Sequence, residues 1–293
     1  MNIYDCFMYY DEDMILELRL NILNNHVKKF IITESIYNHN GKERKLKFDV
    51  NNFKQFKDKI DYIVIEDLPH DIEIINNFDS EEVKNSKILT NALKRENYQR
   101  NMLSHGIEKA LEDDLIIISD VDEIPNLESF SHNNKITFFE QKMFYYKFNL
   151  KHPDIRWVGS RACKKKFLES PQWIRNIKDK SYSIWRLDTL FSKKKYSNIN
   201  YIKNGGWHFT SVKSPEEIHF KLSNFLHHLE YNNSGLGIDN LKDVVANKKV
   251  LYDHKKDKRE DKWKSSISLV KVLDEELPSF LIENKAKYKE WFD

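Results

Sequence analysis

Apolar residues along the chain fall into short runs separated by longer polar or periodic stretches. NIYDCFMYY (2–10), KKFIITES (28–35), DYIVIEDLP (61–69) and DLIIISD (114–120) have strand length and are rich in Ile, Phe and Tyr. Between the first two runs, Met14, Ile15, Leu18, Ile22 and Leu23 recur at helical spacing, with Asp11 as the expected N-cap. Before the fourth run, Ile88, Leu89, Ala92, Leu93, Leu103, Ile107 and Leu111 predict a long polar helix over 87–111. Strands that alternate with helices predict an α/β fold: a Rossmann-like, mostly parallel central sheet with helices on both faces. Ligands of such sheets bind beyond the carboxyl ends of the strands. Glu34, Glu66, Asp67, Asp120 and Asp122 fall at those ends.

After Pro125 the pattern changes. Residues 135–167 are rich in aromatics and partly alternating, which predicts an antiparallel excursion. Residues 214–228 begin a helix, with Ser214 as N-cap, Pro215 at the first position and Glu217 completing a capping box. A short helix follows in 237–249, then a solvated charge run at 253–266, and 277–292 packs the chain back. The expected division is a catalytic-size domain over 1–235 and a C-terminal helical extension, 236–293, packed on it.

Composition narrows the class. The 293 residues are 40% hydrophobic and 13% aromatic, a folded chain with enough length for a sizeable core. Its 48 basic and 46 acidic residues nearly cancel, so no global pull toward nucleic acid exists. Cys6 and Cys163 form no C-x-x-C, and two reduced thiols are expected. Neither a signal peptide nor a run of transmembrane length is visible. A cytoplasmic protein is expected. The abundance of Lys, Asn and Ile points to a low-GC bacterium or a virus.

The stretch LIIISDVDEIP (115–125) carries the candidate chemistry. Three carboxylates, Asp120, Asp122 and Glu123, crowd the end of a buried strand, which is costly without positive charge among them. A D-x-D pair in an extended segment points two oxygen donors to one side, a set suited to Mg²⁺ or Mn²⁺. Such a metal neutralises charge on a phosphate leaving group. A turn with a helix cap is the plain alternative. An EF-hand fails, because Pro125 occupies the position that needs glycine. A phosphatase of the haloacid dehalogenase type also uses D-x-D, with the first Asp as nucleophile, but on an early strand. No G-x-x-x-x-G-K-[ST] or G-x-G-x-x-G occurs.

FIITESIYNHNGKERKLKF, ENYQRNMLSHGI, DDLIIISDVDEIP and GGWHFTSVKSPEEIHFKL follow one another in that order. Together they resemble glycosyltransferase family 17, with β-1,4-mannosyl-glycoprotein 4-β-N-acetylglucosaminyltransferases among its members. The resemblance spans about Ile3 to Tyr231, and LPSFLIENKAKYKEWF fits the closing segment. It implies an A-type nucleotide-sugar transferase fold, an inverting reaction and a UDP-sugar donor, such as UDP-N-acetylglucosamine. Mn²⁺ or Mg²⁺ on the diphosphate would be held by Asp120 and Asp122.

Carried over by position, Glu34 and Ser35 would lie by the nucleoside, and Arg100, with Arg95 less directly, would reach the diphosphate. Gly205 and Gly206 permit unusual backbone angles or close approach to a ligand. Trp207 is a candidate for stacking on a sugar, and His208 for a further metal ligand or phosphate contact. Core packing is the plain reading of both. An inverting transferase needs a general base. Glu123, Glu216 and Asp188 are the candidates, in that order. A rival function is non-catalytic glycan binding, through an aromatic platform between Phe138 and Trp185. The family's animal members carry a membrane anchor that this sequence does not show, so a bacterial or viral glycan is the expected acceptor.

Overall fold

The computed structural model describes all residues except 129, 132–134, 181, 183–187, 189–191, 226–227, 257–260 and 264. Its strands are β1 (Ile3–Met8), β2 (Lys29–Ser35), β3 (Ile60–Ile65), β4 (Leu115–Asp120), β5 (Glu123–Pro125), β6 (Ile136–Tyr145), β7 (Leu150–Lys151), β8 (Trp157–Lys164), β9 (Ile199–Ile202), β10 (Gly206–Thr210) and β11 (Val270–Lys271). The helices are α1 (Asp13–Leu23), α2 (Glu81–Asn101), α3 (Pro171–Asn176), α4 (Pro215–Asn224), α5 (His228–Asn233), α6 (Ile238–Ala246) and α7 (Ser279–Glu283).

The fold is α/β around one mixed sheet, ordered β11-β7-β6-β8-β4-β1-β2-β3. β3, β2, β1 and β4 run parallel, and β4–β8, β8–β6, β6–β7 and β7–β11 are antiparallel. The parallel half is therefore the N-terminal α/β unit, and the antiparallel half is the aromatic excursion. β9 and β10 also pair with β6, both parallel.

Alternation explains why β4 and, apart from Asp5, β1 are apolar at consecutive positions. Phe7, Leu115 and Ile117 face a core that α1 covers with Ile15, Leu16, Leu20 and Leu23. Tyr4, Cys6, Ile116 and Ile118 face the other core, capped by Leu103, Ile107, Trp173 and Ile174. Both faces are dry, so hydrophobic residues are needed at consecutive positions. Cys6 and Cys163 lie free and buried in the second core, and burial pushes the Cys163 thiol up to about 12.

Several details depart from the expected elements. Asp11 does not cap α1. Glu12 stands at the N-cap and takes the Tyr10 and Asp11 amides on its carboxylate. The long helix begins at Glu81 under a Ser80 cap and ends at Asn101, continuing as a tight 3-10 turn over Met102–Ile107. Leu93 and Leu111, expected in its apolar stripe, are exposed. The capping box at Ser214 and Glu217 forms as expected. The segment after 235 is less helical than expected: α6 and α7 are short, and β11 joins the sheet through β7. Among the described residues no helix is long and apolar enough to cross a membrane.

Candidate functional site

β4 delivers Asp120 to the edge of the sheet, and the chain turns back at once into β5. The turn is held from beneath by Arg19, a fully buried side chain of α1. Its Nε and Nη2 clamp the carboxylate of Asp5 at 2.8 and 2.6 Å. Its Nη1 donates to the carbonyls of Asp120, Val121 and Glu123 at 3.0, 3.2 and 2.8 Å. Nη2 also meets the Ser119 hydroxyl. One planar fork thus fixes the peptide groups of the whole turn.

Positive charge answers the three carboxylates from the side. Arg100 of α2 reaches Asp120 Oδ1 at 3.2 Å and Glu96 at 2.7 Å. Arg175 of α3 reaches Asp120 Oδ2 at 3.1 Å and Glu123 Oε2 at 2.7 Å. Burial opposes ionisation of Asp120, but the Arg175 and Arg100 guanidiniums outweigh it and hold its carboxyl well below the usual range.

Glu123 is fully buried and braced on both oxygens. The Trp157 indole donates to Oε1 at 3.1 Å, and the Asp120 amide donates to Oε2 at 3.0 Å. It supports the turn and cannot meet an acceptor hydroxyl, which corrects its expected place as first candidate base. The other two candidates are corrected as well. Glu216 is exposed and paired with Lys242 at 2.9 Å, and Asp188 is exposed and paired with Lys195 at 2.7 Å. Neither lines the cleft described below.

GGWHFT, 205–210, comes to this turn by strand pairing. β10 runs antiparallel to β5, with Gly206 opposite Pro125, Trp207 opposite Ile124 and His208 opposite Glu123, and the Phe209 amide donates to the Asp122 carbonyl at 2.9 Å. Gly206 has φ +131°, and a Cβ there would lie 2.1 Å from the Ile124 carbonyl. The close approach that needs glycine is to the chain's own backbone, not to a ligand. Alternation along β10 sends its two candidate side chains to opposite faces. His208 faces the cleft. Trp207 faces away, packs on the core and donates its Nε1 to the Glu276 carbonyl at 2.8 Å, so it is not available for stacking on a sugar.

Two clefts meet at Asp120 and Asp122. The larger, about 540 Å³, rises from Asp122 and His208 between Trp157, Tyr145, α4 and the side chains of Leu251, Tyr252, His254, Lys262 and Trp263. The smaller, about 130 Å³, lies over the end of β1 between Met8, Tyr10, Glu12 and Gln99. Lys221 of α4 borders both and is paired with Glu12 at 2.9 Å.

Asp122 Oδ1 and His208 Nε2 lie 3.5 Å apart on the cleft floor. Burial lowers the His208 pKa, and Asp122 more than restores it, leaving it raised. Two donors at that separation fit a cation bound at about 2.0–2.2 Å from each. Nothing among the described residues holds His208 Nδ1, so the tautomer follows what Nε2 meets. Asp120 gives one oxygen to each arginine and keeps a second lone pair on both, and it lines both clefts. Among the described residues no group of three His, Cys, Asp or Glu side chains forms a metal cage. A cation here would draw its remaining ligands from phosphate and water, as Mg²⁺ commonly does.

The remaining predicted residues lie elsewhere. Glu34 is fully buried and takes Lys47 N, Phe48 N, the Tyr62 hydroxyl and Arg44, all within 3.0 Å, which fastens the loop after β2. Ser35 accepts the Tyr37 amide in the same loop, and Arg95 binds the His39 carbonyl. None of these three lines either of the two clefts. Of the predicted arginines only Arg100 reaches the cluster. Sequence reasoning missed Arg19, Arg175 and Lys221, and it included Trp157 only within the aromatic stretch of the rival reading. For Arg175 a local signal existed, since Ser170 and Pro171 open its helix with an N-cap and a first-turn proline.

A family model, Glycosyltransferase family 17, matches residues 1–292. A comparison with curated proteins finds no match.

Proposed function

The chain belongs to glycosyltransferase family 17, and from that premise we propose a metal-dependent, inverting transfer of a hexose from a UDP-sugar to a glycan, on an A-type nucleotide-sugar transferase fold. N-acetylglucosamine is the sugar that family membership favours. One observation carries the reading: the Asp120–Glu123 turn, at the carboxyl end of a parallel strand, opens onto two clefts that share Asp120 and Asp122, with His208 beside Asp122 on the floor of the larger. Open α/β sheets bind nucleotides beyond such ends, which assigns the smaller cleft over β1 to the nucleoside side.

Asp122 and His208 would hold Mn²⁺ or Mg²⁺. When bound, that ion offsets the charge developing on the departing diphosphate. Arg100 and Lys221 face the same junction and supply fixed positive charge beside it. Of the carboxylates lining the larger cleft, Asp120 is committed to two arginines and Asp122 to the cation. Glu96 is then the acid left to take the acceptor's proton, with Arg100 orienting it at 2.7 Å. A dehalogenase-type phosphatase would need Asp120 free as a nucleophile, and its two guanidinium partners argue against that.

The test is UDP release from a panel of UDP-sugars with Mn²⁺, with Mg²⁺ and with EDTA, for the wild type and Asp122→Ala. Release with metal, lost in EDTA and in the folded variant, supports the reading. Full activity in EDTA refutes the metal role. Glycan binding without any nucleotide binding would return the protein to the rival class.

A further inference from the structure

A row of rings climbs one wall of the larger cleft from the catalytic turn. Trp157 stacks on His208 with centroids 4.8 Å apart and planes 26° apart. His254 meets Trp157 at 5.3 Å, Tyr252 meets His254 at 4.9 Å, and Trp263 meets Tyr252 at 5.0 Å. All five border the larger cleft and none borders the smaller, except that both share the turn beneath them. The row begins rigid, because the buried Glu123 that braces the turn also holds the Trp157 indole at 3.1 Å.

We propose that this wall is the acceptor subsite and that it binds an oligosaccharide of two or more rings, reading its length through Tyr252 and Trp263. The proposal rests on the glycosyltransferase reading above. A pyranose carries an apolar C–H face and a rim of hydroxyls, so it stacks on an aromatic ring while its edge stays hydrated or hydrogen-bonded. The ring centroids lie 4.8–5.3 Å apart in mutual contact, a spacing close to that of successive sugars along a glycan, so a chain lying over the row would meet a new ring at each sugar. A lone monosaccharide at the turn would touch Trp157 and His208 and leave Tyr252 and Trp263 unused. The cleft volume of about 540 Å³ lies within the range of pockets that enclose ligands larger than one sugar.

The experiment uses the full chain and an array of oligosaccharides one to six units long, built from glucose, galactose, mannose and N-acetylglucosamine. Binding is read on the array and by intrinsic tryptophan fluorescence. UDP binding with Mn²⁺ is measured in parallel by calorimetry. For at least one series the wild type should bind more tightly as the glycan grows from one unit to three. Trp263→Ala and Tyr252→Ala should each lose about tenfold for the longer glycans and little for the shortest, with UDP binding unchanged. Trp263→Phe, which keeps a ring, should retain most of the length dependence and controls for misfolding. Length-independent binding, no glycan binding, or an alanine variant indistinguishable from wild type overturns the proposal. Loss of UDP binding in the wild type with the glycan pattern intact would instead overturn the nucleotide-sugar reading and leave the wall standing.

Discussion

Replacing Arg19 with Met separates stability from positioning. The substitution keeps a long apolar stem in the core but removes a guanidinium whose five N–H groups are all engaged. Asp5 is left buried without its partner, and removing one member of a buried ion pair costs about 3–5 kcal/mol. Three turn carbonyls also lose a charged donor, at about 1 kcal/mol each where water cannot replace it. The expected loss is about 6–8 kcal/mol, a large share of the ~5–15 kcal/mol that holds a domain folded. With a urea m-value of about 3 kcal/mol/M, the unfolding midpoint should fall by about 2–2.7 M. The informative variant adds Asp5→Leu. Removing both charges abolishes the unpaired carboxylate and should recover about half the stability or more. The turn carbonyls stay unheld in that double variant, so UDP release should remain at least tenfold below wild type. Recovery of both stability and activity would refute the claim that Arg19 sets the geometry of the turn.

Glu123→Gln should lower stability by about 2–4 kcal/mol, because Arg175 loses its buried counter-charge; if thermal unfolding is unchanged while kcat collapses, Glu123 is the base after all. Glu96→Gln should reduce kcat by about 10²–10⁴-fold with UDP affinity retained, and kinetics at wild-type level would remove it as the base. Burial pushes the Glu12 carboxyl up, yet Lys221 and Lys213 beside it hold it down at about 2. Its folded pKa lies below the unfolded value near 4.5, so the unfolded state binds the proton first, and this contribution of about 3 kcal/mol is full above pH 4.5 and lost toward pH 2. In Lys221→Met, unfolding free energy should depend less steeply on pH over that window, and an unaltered slope would refute the pairing.

The parallel half of the fold was legible because β2 and β4 are runs buried on both faces and α1 has an apolar stripe, whereas β3 is half-exposed and α2 buries mainly Asn91, Ala92, Gln99 and Arg100. β1 and β4 need apolar residues on two faces, and the sequence shows them. The excursion after Pro125 was legible as antiparallel, but not its parallel partners β9 and β10, whose register depends on contacts far along the chain. Asp120 and Asp122 stood out by local spacing, which left a turn and a metal site both open until the resemblance gave them roles, and both line the clefts. Glu123 was misread because nothing local shows that Trp157 and Arg175 close over it. Trp207 and His208 were treated as one site, although neighbours on a strand face opposite ways. Glu34 sits at a strand end as expected, but its carboxylate is consumed by loop amides that sequence does not reveal. Trp185, part of the suggested platform, lies outside the described residues. Of that platform, Phe138, Phe139 and Phe144 are core, and Tyr145 and Trp157 reach the cleft.

The pairing of Arg175 with Glu123 also constrains when the site can exist. The two residues are 52 positions apart, and His208 and the ring-bearing segment come later still. At a synthesis rate of about 5–20 residues per second, the carboxylate turn emerges ~3–10 s before the arginine that neutralises it. Contacts this far apart in sequence are slow to form, because loop closure must precede the contact. On the ribosome the N-terminal strands can therefore assemble with Arg19 already holding the turn's carbonyls, while Glu123 still lacks Trp157 and Arg175. Donor binding should appear only as a late event of refolding, after most of the secondary structure has formed.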